Sequence, residues 1–511
     1  MVIIALLGRV LLIVSQTVSF HSDEAVVALM ARHILQGERP VFFYGQAYMG
    51  SLDAWLVAIG FALFGQTVTA IRIVQAVIYL GIVASGYVLA WKITRSTAAA
   101  FSAGLLLAIP SVLFATYTSA TLGGYGETLL LGNLLLILAL DLAGSQPSRP
   151  AWMMRWFALG LIAGVGWWTN ALIAVYALPA LVVLLANPLR SAARNLSALV
   201  PVLGGGLIAL VGLLIGAAPW WVFALQNNFA PLAFLTGGGT GSGFAGTDVF
   251  SLPLDQRLIG FFLLGLPTVF GARFPWFSSY FLAPVGLLVG GIVLLAGYRF
   301  FARRVENNGR LLIGVLIIGF SVVYLASRFS FDPTGRYFLP LVMPVAVMVG
   351  SLIGRLWARR RIFALLLIGV VIGYQAIGQI VTATTYPGFT TQFNLDTHIP
   401  NTDDDALIAF LDEHELYRGY TQYWIAFRLA FLSGERMQYS ASLPYLPSLH
   451  YTPLDDRIPA YRQAADSADT FAYILANTTP NVEPIRAWLE GELAARQIEY
   501  TSAEVGPFTV Y

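Results

Sequence analysis

Asp23 and Glu24 follow directly on the first hydrophobic run, Val2–Phe20, of a chain that goes on to be mostly apolar. Carboxylates are costly near lipid, and those retained there usually have a task. An Asp at such a boundary can accept a proton from a hydroxyl, and a pair of acids can help to hold a divalent cation. The competing explanation is a solvated helix start, with Ser22 as N-cap and two acids set against the dipole. Three more positions bear on the choice. Glu127 opens a later apolar run after Gly123-Gly124-Tyr125-Gly126, where it could share a divalent ion or a polar substrate with Asp23. Arg72 falls early in the second run. Arg336 precedes a late one, where its guanidinium fork suits a phosphate, unless it acts as an interfacial anchor beside Tyr337. The stretch 23–65 reads as an amphipathic helix, a polar and aromatic turn carrying Tyr44 and Gln46, and a second amphipathic helix, together a loop on the membrane face.

Positioning such residues requires a membrane scaffold, and the composition supplies one. Of 511 residues, 57% are hydrophobic and 11% charged, far from the range of a soluble globular protein. About eleven apolar runs approach the ~20 residues needed to cross a bilayer: 2–20, 68–94, 98–117, 125–143, 153–168, 171–186, 196–218, 279–298, 311–326, 337–356 and 362–381. Basic clusters at Lys92/Arg95, Arg149/Arg155, Arg190/Arg194, Arg299–Arg310 and Arg355–Arg361 fall on one side, which the positive-inside rule makes cytoplasmic. The loops 21–66 and 219–278 and the tail are then extracytoplasmic. One further run, 258–270, does not fit as a crossing and reads as a re-entrant or surface helix. Arg9 lies inside the first run and is expected to snorkel toward the cytoplasm; the run lacks a basic leader and reads as a retained helix, on a chain whose true start could lie upstream.

Charge divides the chain. Residues 1–383 carry 22 Lys and Arg against 10 Asp and Glu, a net of +12; residues 384–511 carry 7 against 17, a net of −10. The acidic part reads as a small soluble α/β domain, with helices expected over 403–416 and 484–497 and strands near 470–475 and 508–511. Asn401 or Thr402 would cap its first helix, and the acids at 403–405 complement that helix dipole rather than bind a metal. With no cysteine in the chain, disulfides, thiolate metal sites and cysteine nucleophiles are excluded. The glycine-rich segment 237–246 lacks the Gly-Lys-Ser/Thr of a phosphate loop and is better read as a flap or a linker. The five histidines show no metal-ligand spacing. No internal repeat is evident, which weakens a carrier built from two related halves.

The order hydrophobic helix, Asp23-Glu24, surface helix, Tyr44-Gly45-Gln46, second surface helix ending Leu63-Phe64-Gly65, then Arg72, resembles the GT-C membrane glycosyltransferases. It is most similar to the protein O-mannosyltransferase and aminoarabinose transferase group (glycosyltransferase family 39-like). Gly335-Arg336-Tyr337-Phe338-Leu339-Pro340 looks like the Arg-Tyr-x-x-Pro element of that group. The resemblance implies transfer of a sugar from a polyprenyl-phosphate donor to a glycan, lipid or protein acceptor at the outer face of the cell membrane, with no nucleic acid involved. Asp23 would be the general base, with Glu24 beside it; Arg336, or less favourably Arg72, would receive the leaving phosphate; Glu127 would hold the acceptor or a magnesium or manganese ion; Tyr44 and Gln46 would contact substrate. Direct in-line attack would invert the anomeric centre. A transporter or flippase would instead need polar residues lining a path at mid-membrane, and an O-antigen polymerase or ligase would carry its large loop and arginines late in the chain.

Overall fold

The computed structural model describes residues 1–511 except 145–147, 193–194, 237–251, 277–278, 303–307, 328–329, 331, 393, 395–396, 447, 450 and 481. The glycine-rich segment 237–246 lies outside the described residues, as do Arg194, Arg303, Arg304, Arg328 and His450. The chain forms two compact units: Met1–Val18, Arg72–Phe229 and Gly246–Thr391 make the first, and Ser19–Ile71, Ala230–Ala245 and Gln392–Tyr511 the second. The second unit thus begins its C-terminal share near the expected boundary at 384, and it also takes in the loop that carries Asp23.

The first unit is helical. Among the described residues, eight helices are long and apolar enough to cross a membrane: Val68–Thr94, Tyr125–Gly144, Ala171–Ala192, Leu196–Gly216, Ala283–Phe301, Asn308–Ala326, Arg336–Arg359 and Arg361–Thr384. The remaining three expected runs take other forms. The first is a helix of 14 residues, Val2–Ser15, closed by Gln16 in the left-handed region at φ 51°. The third is broken into Thr97–Ala108 and Val112–Tyr117. Pro110 causes the break, since it has no N–H and forces Ile109 out of helical geometry (φ −125°, ψ 76°). The fifth is the 21-residue helix Arg149–Thr169, opened by a proline in its first turn. It lies on Val200–Gly216 with backbones nearly touching: a Cβ on Gly160 would fall 1.8 Å from the Ala209 carbonyl oxygen. The run 258–270 forms Leu254–Ile259, a wide turn at Gly260–Gly265 and Leu266–Val269.

Arg9 corrects its expectation. It does not snorkel but is buried, stacked 3.6 Å over the Tyr79 ring, and donates to the Ala115 carbonyl (3.2 Å), to Thr118 Oγ1 (2.5 Å) and to the Ser119 hydroxyl. The end of helix Val112–Tyr117 explains why: its last turn offers a carbonyl and hydroxyls to which the guanidinium donates.

The second unit centres on a five-stranded mixed sheet in the order Gln438–Ser440, Arg418–Thr421, Ala472–Ala476, Phe508–Val510, Ala503–Val505. The first three strands are parallel and the last two pair antiparallel. Alternation along the central strand sends Ile474 to one face, with Leu407, Leu411, Ile425 and Leu429, and Leu475 to the other, with Ile485, Leu489 and Leu493. Helix Asp404–Glu413 starts at Asp403 without a side-chain cap. Asn401, expected to cap it, instead clasps Phe20: its Nδ2 donates to the Phe20 carbonyl (2.7 Å) and its Oδ1 accepts from the Phe20 amide (3.3 Å).

Candidate active site

In the second unit Asp23 and Glu24 occupy the first turn of helix Ser22–Leu35. This helix is not amphipathic on a surface, as expected, but buried nearly all round, packed between Leu52–Phe64 and Tyr423–Leu432. Nor does Ser22 cap it; His21, in extended conformation, precedes the first turn and Ser22 is fully buried within it. Glu24 is likewise fully buried, which removes the solvated helix start as its explanation.

Asp23 Oδ1 accepts a hydrogen bond from the Tyr423 hydroxyl. Burial first, and then the Asp23 charge, hold that phenol well above its ordinary pKa, so it stays a donor. Arg457 sits 5.5 Å over the rings of both Tyr423 and Phe43. Burial works against its cation, but Tyr423, Asp23 and Asp455 outweigh this and raise its pKa. With the Gln46 amide oxygen turned toward it, Arg457 donates to that oxygen from Nη1 (3.1 Å) and Nη2 (2.8 Å). Asp455 accepts from the Tyr445 hydroxyl at 3.1 Å; burial pushes its carboxyl up to about 6, against the pull of Arg457 and Tyr445 and with the help of Asp23.

Tyr44 belongs to a neighbouring cluster. Its hydroxyl donates to Glu38 (2.7 Å) and lies 3.0 Å from His33 Nδ1, while His33 Nε2 lies 2.9 Å from Glu435. Glu435 also accepts from Tyr461 (2.6 Å) and Arg32 (3.4 Å). Burial alone would raise its carboxyl, yet the bonds from His33 and Tyr461 bring it down to about 2. Tyr44 and Gln46 are thus held by protein partners as the hairpin Phe42–Phe43/Gln46–Gly50 turns at Gly45 (φ 73°).

The first unit holds Arg72, Glu127 and Arg336. Arg72 donates to the carbonyls of Ser119 (3.1 Å) and Val18 (3.4 Å), a bracing role at the end of Val112–Tyr117. Glu127 is buried in the first turn of Tyr125–Gly144. Asn170 fixes the turn before it, donating to the Gly123 carbonyl at 3.0 Å. Arg336 Nη2 pairs with Asp332 at 3.0 Å, and Tyr125 and Tyr117 are within electrostatic reach of its cation. Among the described residues its Nε has no hydrogen-bond partner. The turn that presents it needs Gly335, at φ 75°, where a Cβ would fall 2.2 Å from Thr268 Oγ1. Phe338, two residues on, is buried among Phe261, Phe320 and Tyr324 and anchors the string.

Sequence reasoning missed Arg273. It is buried, donates to the carbonyls of Leu264 (3.2 Å) and Pro333 (2.5 Å), and has an Nε with no hydrogen-bond partner among the described residues. It is bridged to Tyr280 across a short antiparallel contact. Ala272 and Tyr280 line an apolar cavity of about 870 Å³, together with Phe270, Leu287, Gly290 and Met348. Tyr423, Asp455 and Arg457 were missed too. Within the second unit nothing local marks them.

Residues 51–222 match a model of the dolichyl-phosphate-mannose-protein mannosyltransferase family. No curated protein matches the chain. Among solved structures it is similar to ArnT from Cupriavidus metallidurans bound to undecaprenyl phosphate, at 15% identity and a TM-score of 0.62 over 99% of this chain and 97% of that one. The apo state of the same ArnT gives 0.59 at the same identity and coverage. The Archaeoglobus fulgidus oligosaccharyltransferase in its apo form gives 0.54 at 13% identity, over 98% of this chain and 72% of that one. At these identities the likeness to the solved structures is one of fold alone. The family match over 51–222 is to the protein mannosyltransferases that the sequence motifs resemble.

Proposed function

We propose that the protein transfers a sugar from a polyprenyl-phosphate donor to an acceptor hydroxyl at the extracytoplasmic face of a membrane, with inversion and with Asp23 as general base. The observation that carries the reading is the separation of charge roles. A carboxylate oriented by a phenol lies in the second unit, and two arginines, the half-buried Arg336 and the buried Arg273, whose Nε atoms have no hydrogen-bond partner among the described residues, lie in the first, where Ala272 next to Arg273 lines an apolar cavity. The acceptor O–H gives its proton to Asp23 as its oxygen bonds to the anomeric carbon. The anomeric C–O bond breaks with its electron pair going to the lipid phosphate, whose charge Arg336 and Arg273 receive. The cavity suits a prenyl chain, and ArnT, of like fold, has been solved with undecaprenyl phosphate.

Orientation is part of the proposal. Within the first unit, Lys92, Arg149, Arg190, Arg299, Arg310, Arg359 and Arg361 lie at helix ends joined by one set of connections, while Arg72, Glu127 and Arg336 open helices from the other set. The positive-inside rule then puts these three at the outer end. Glu127 holds the acceptor or a divalent ion; as one buried carboxylate it suits either, and among the described residues no group of three or more metal-ligating side chains forms a ready cage. The test is transfer of radiolabelled sugar from undecaprenyl-phosphate donors in proteoliposomes. Wild type is expected to release undecaprenyl phosphate, and Asp23→Asn to lose about 10²–10⁴-fold in rate while still inserting and folding. An Asp23→Asn variant with undiminished turnover removes Asp23 from the mechanism.

A further inference from the structure

Arg457 is hard to explain as packing. A cation buried against two aromatic rings and a neutral amide is costly unless carboxylates offset it, and an apolar side chain of similar size would serve a purely structural core better. Its offsetting acids are Asp23 and Asp455, its Nε has no hydrogen-bond partner among the described residues, and Gly45 is what leaves room for it: a Cβ there would fall 3.1 Å from Arg457 Cδ and Nη1. Tyr423 opens helix Tyr423–Leu432 so that its hydroxyl meets Asp23 Oδ1.

We infer that Tyr423 and Arg457 are positioning residues that keep the Asp23 carboxylate aimed, so that the C-terminal stretch is a working part of the transfer site and not an appendage. The inference rests on Asp23 being the proton acceptor. A hydroxyl that donates to a carboxylate favours its charged form, and so does a nearby cation. The groups facing Asp23 from other elements are Tyr423, Arg457, Asp455 and Tyr445, with Glu24 beside it on its own helix. Loss of the Tyr423 hydroxyl or of the Arg457 cation is expected to move the acidic limb of the pH–rate profile upward.

The test uses the full chain in proteoliposomes, with kcat and the donor KM measured across pH. In Tyr423→Phe, kcat is expected to fall about tenfold, the effect of one hydrogen bond to a charged group. The donor KM is expected to stay within about twofold, and the acidic limb to rise by about one pH unit. Arg457→Met raises the limb as well, whereas Arg457→Lys, which keeps the cation, leaves it within about half a unit of wild type. A Tyr423→Phe enzyme with wild-type kcat and an unmoved limb overturns the inference while an inactive Asp23→Asn leaves the base assignment standing. Coincident limbs for the Lys and Met variants at Arg457 overturn its half of the inference. An active Asp23→Asn brings down both readings.

Discussion

The two units bury arginine in opposite ways. In the helical unit Arg9, Arg72 and Arg273 are satisfied mainly by carbonyls and hydroxyls, and Asp332 is the acid paired with Arg336. In the second unit Arg32 pairs with Glu435, Arg428 with Asp404 at 2.7 Å, and Arg457 with the field of Asp23 and Asp455. Neutral acceptors leave a cation's charge uncancelled and ready for an anion; carboxylates cancel it and leave acids to manage protons. The net +12 and −10 of the two parts of the sequence are the same contrast in bulk.

Removing an arginine from each unit sharpens this contrast. Arg428 also donates to the carbonyls of Ile399 (2.9 Å) and Pro400 (3.3 Å), so Arg428→Met strands a buried carboxylate and is expected to destabilise the second unit by about 3–5 kcal/mol. Thermal unfolding in detergent checks it; a loss below that of Arg9→Met breaks the comparison. Arg9→Met strands only neutral groups, and its expected cost is about 2 kcal/mol in the same assay. Arg273→Ala is expected to raise the donor KM about tenfold, equivalent to about 1.4 kcal/mol; an unchanged KM excludes Arg273 from the phosphate site.

The smallest effect is one of pH. Glu435 titrates near 2 in the folded chain against an ordinary 4.5, so its stabilising contribution is whole above about 4.5 and drains away as pH falls toward 2. His398 is held neutral: burial, with the charges of His21 and Arg428, lowers it from 6.5 to about 4, so its contribution is present above 6.5 and fades on acidification toward 4. Both point to gradual acid softening of the second unit, followed by tryptophan fluorescence between pH 7 and 3; Glu435→Gln flattens the lower part of that curve.

Much of this was legible in the sequence because the signals are local. Apolar runs, basic connections, the Gly335–Pro340 string and the strands of the tail each announce themselves within about twenty residues. Asp23 and Glu24 were legible as costly residues in a costly place. Their surroundings were not, since Tyr423 lies 400 residues away and Arg457 further still, and no periodicity links one helix start to another across that distance. For the same reason Asp23's helix read as amphipathic: its polar-looking face, with Arg32 and His33, is covered by Phe431 and Glu435 from the tail. Arg9 was misjudged because snorkelling presumes that nothing inside the helices can receive a guanidinium, and the end of Val112–Tyr117 provides what does.

The seating of Arg9 has a bearing on how the chain is made. Its acceptors at Ala115, Thr118 and Ser119 lie 106 to 110 positions downstream. At ~5–20 residues per second a ribosome takes roughly ten seconds to reach them. During that interval a 14-residue segment bearing an unshielded guanidinium must wait at the translocon or at the bilayer's edge, and its final seat is open only after the Pro110 kink has emerged.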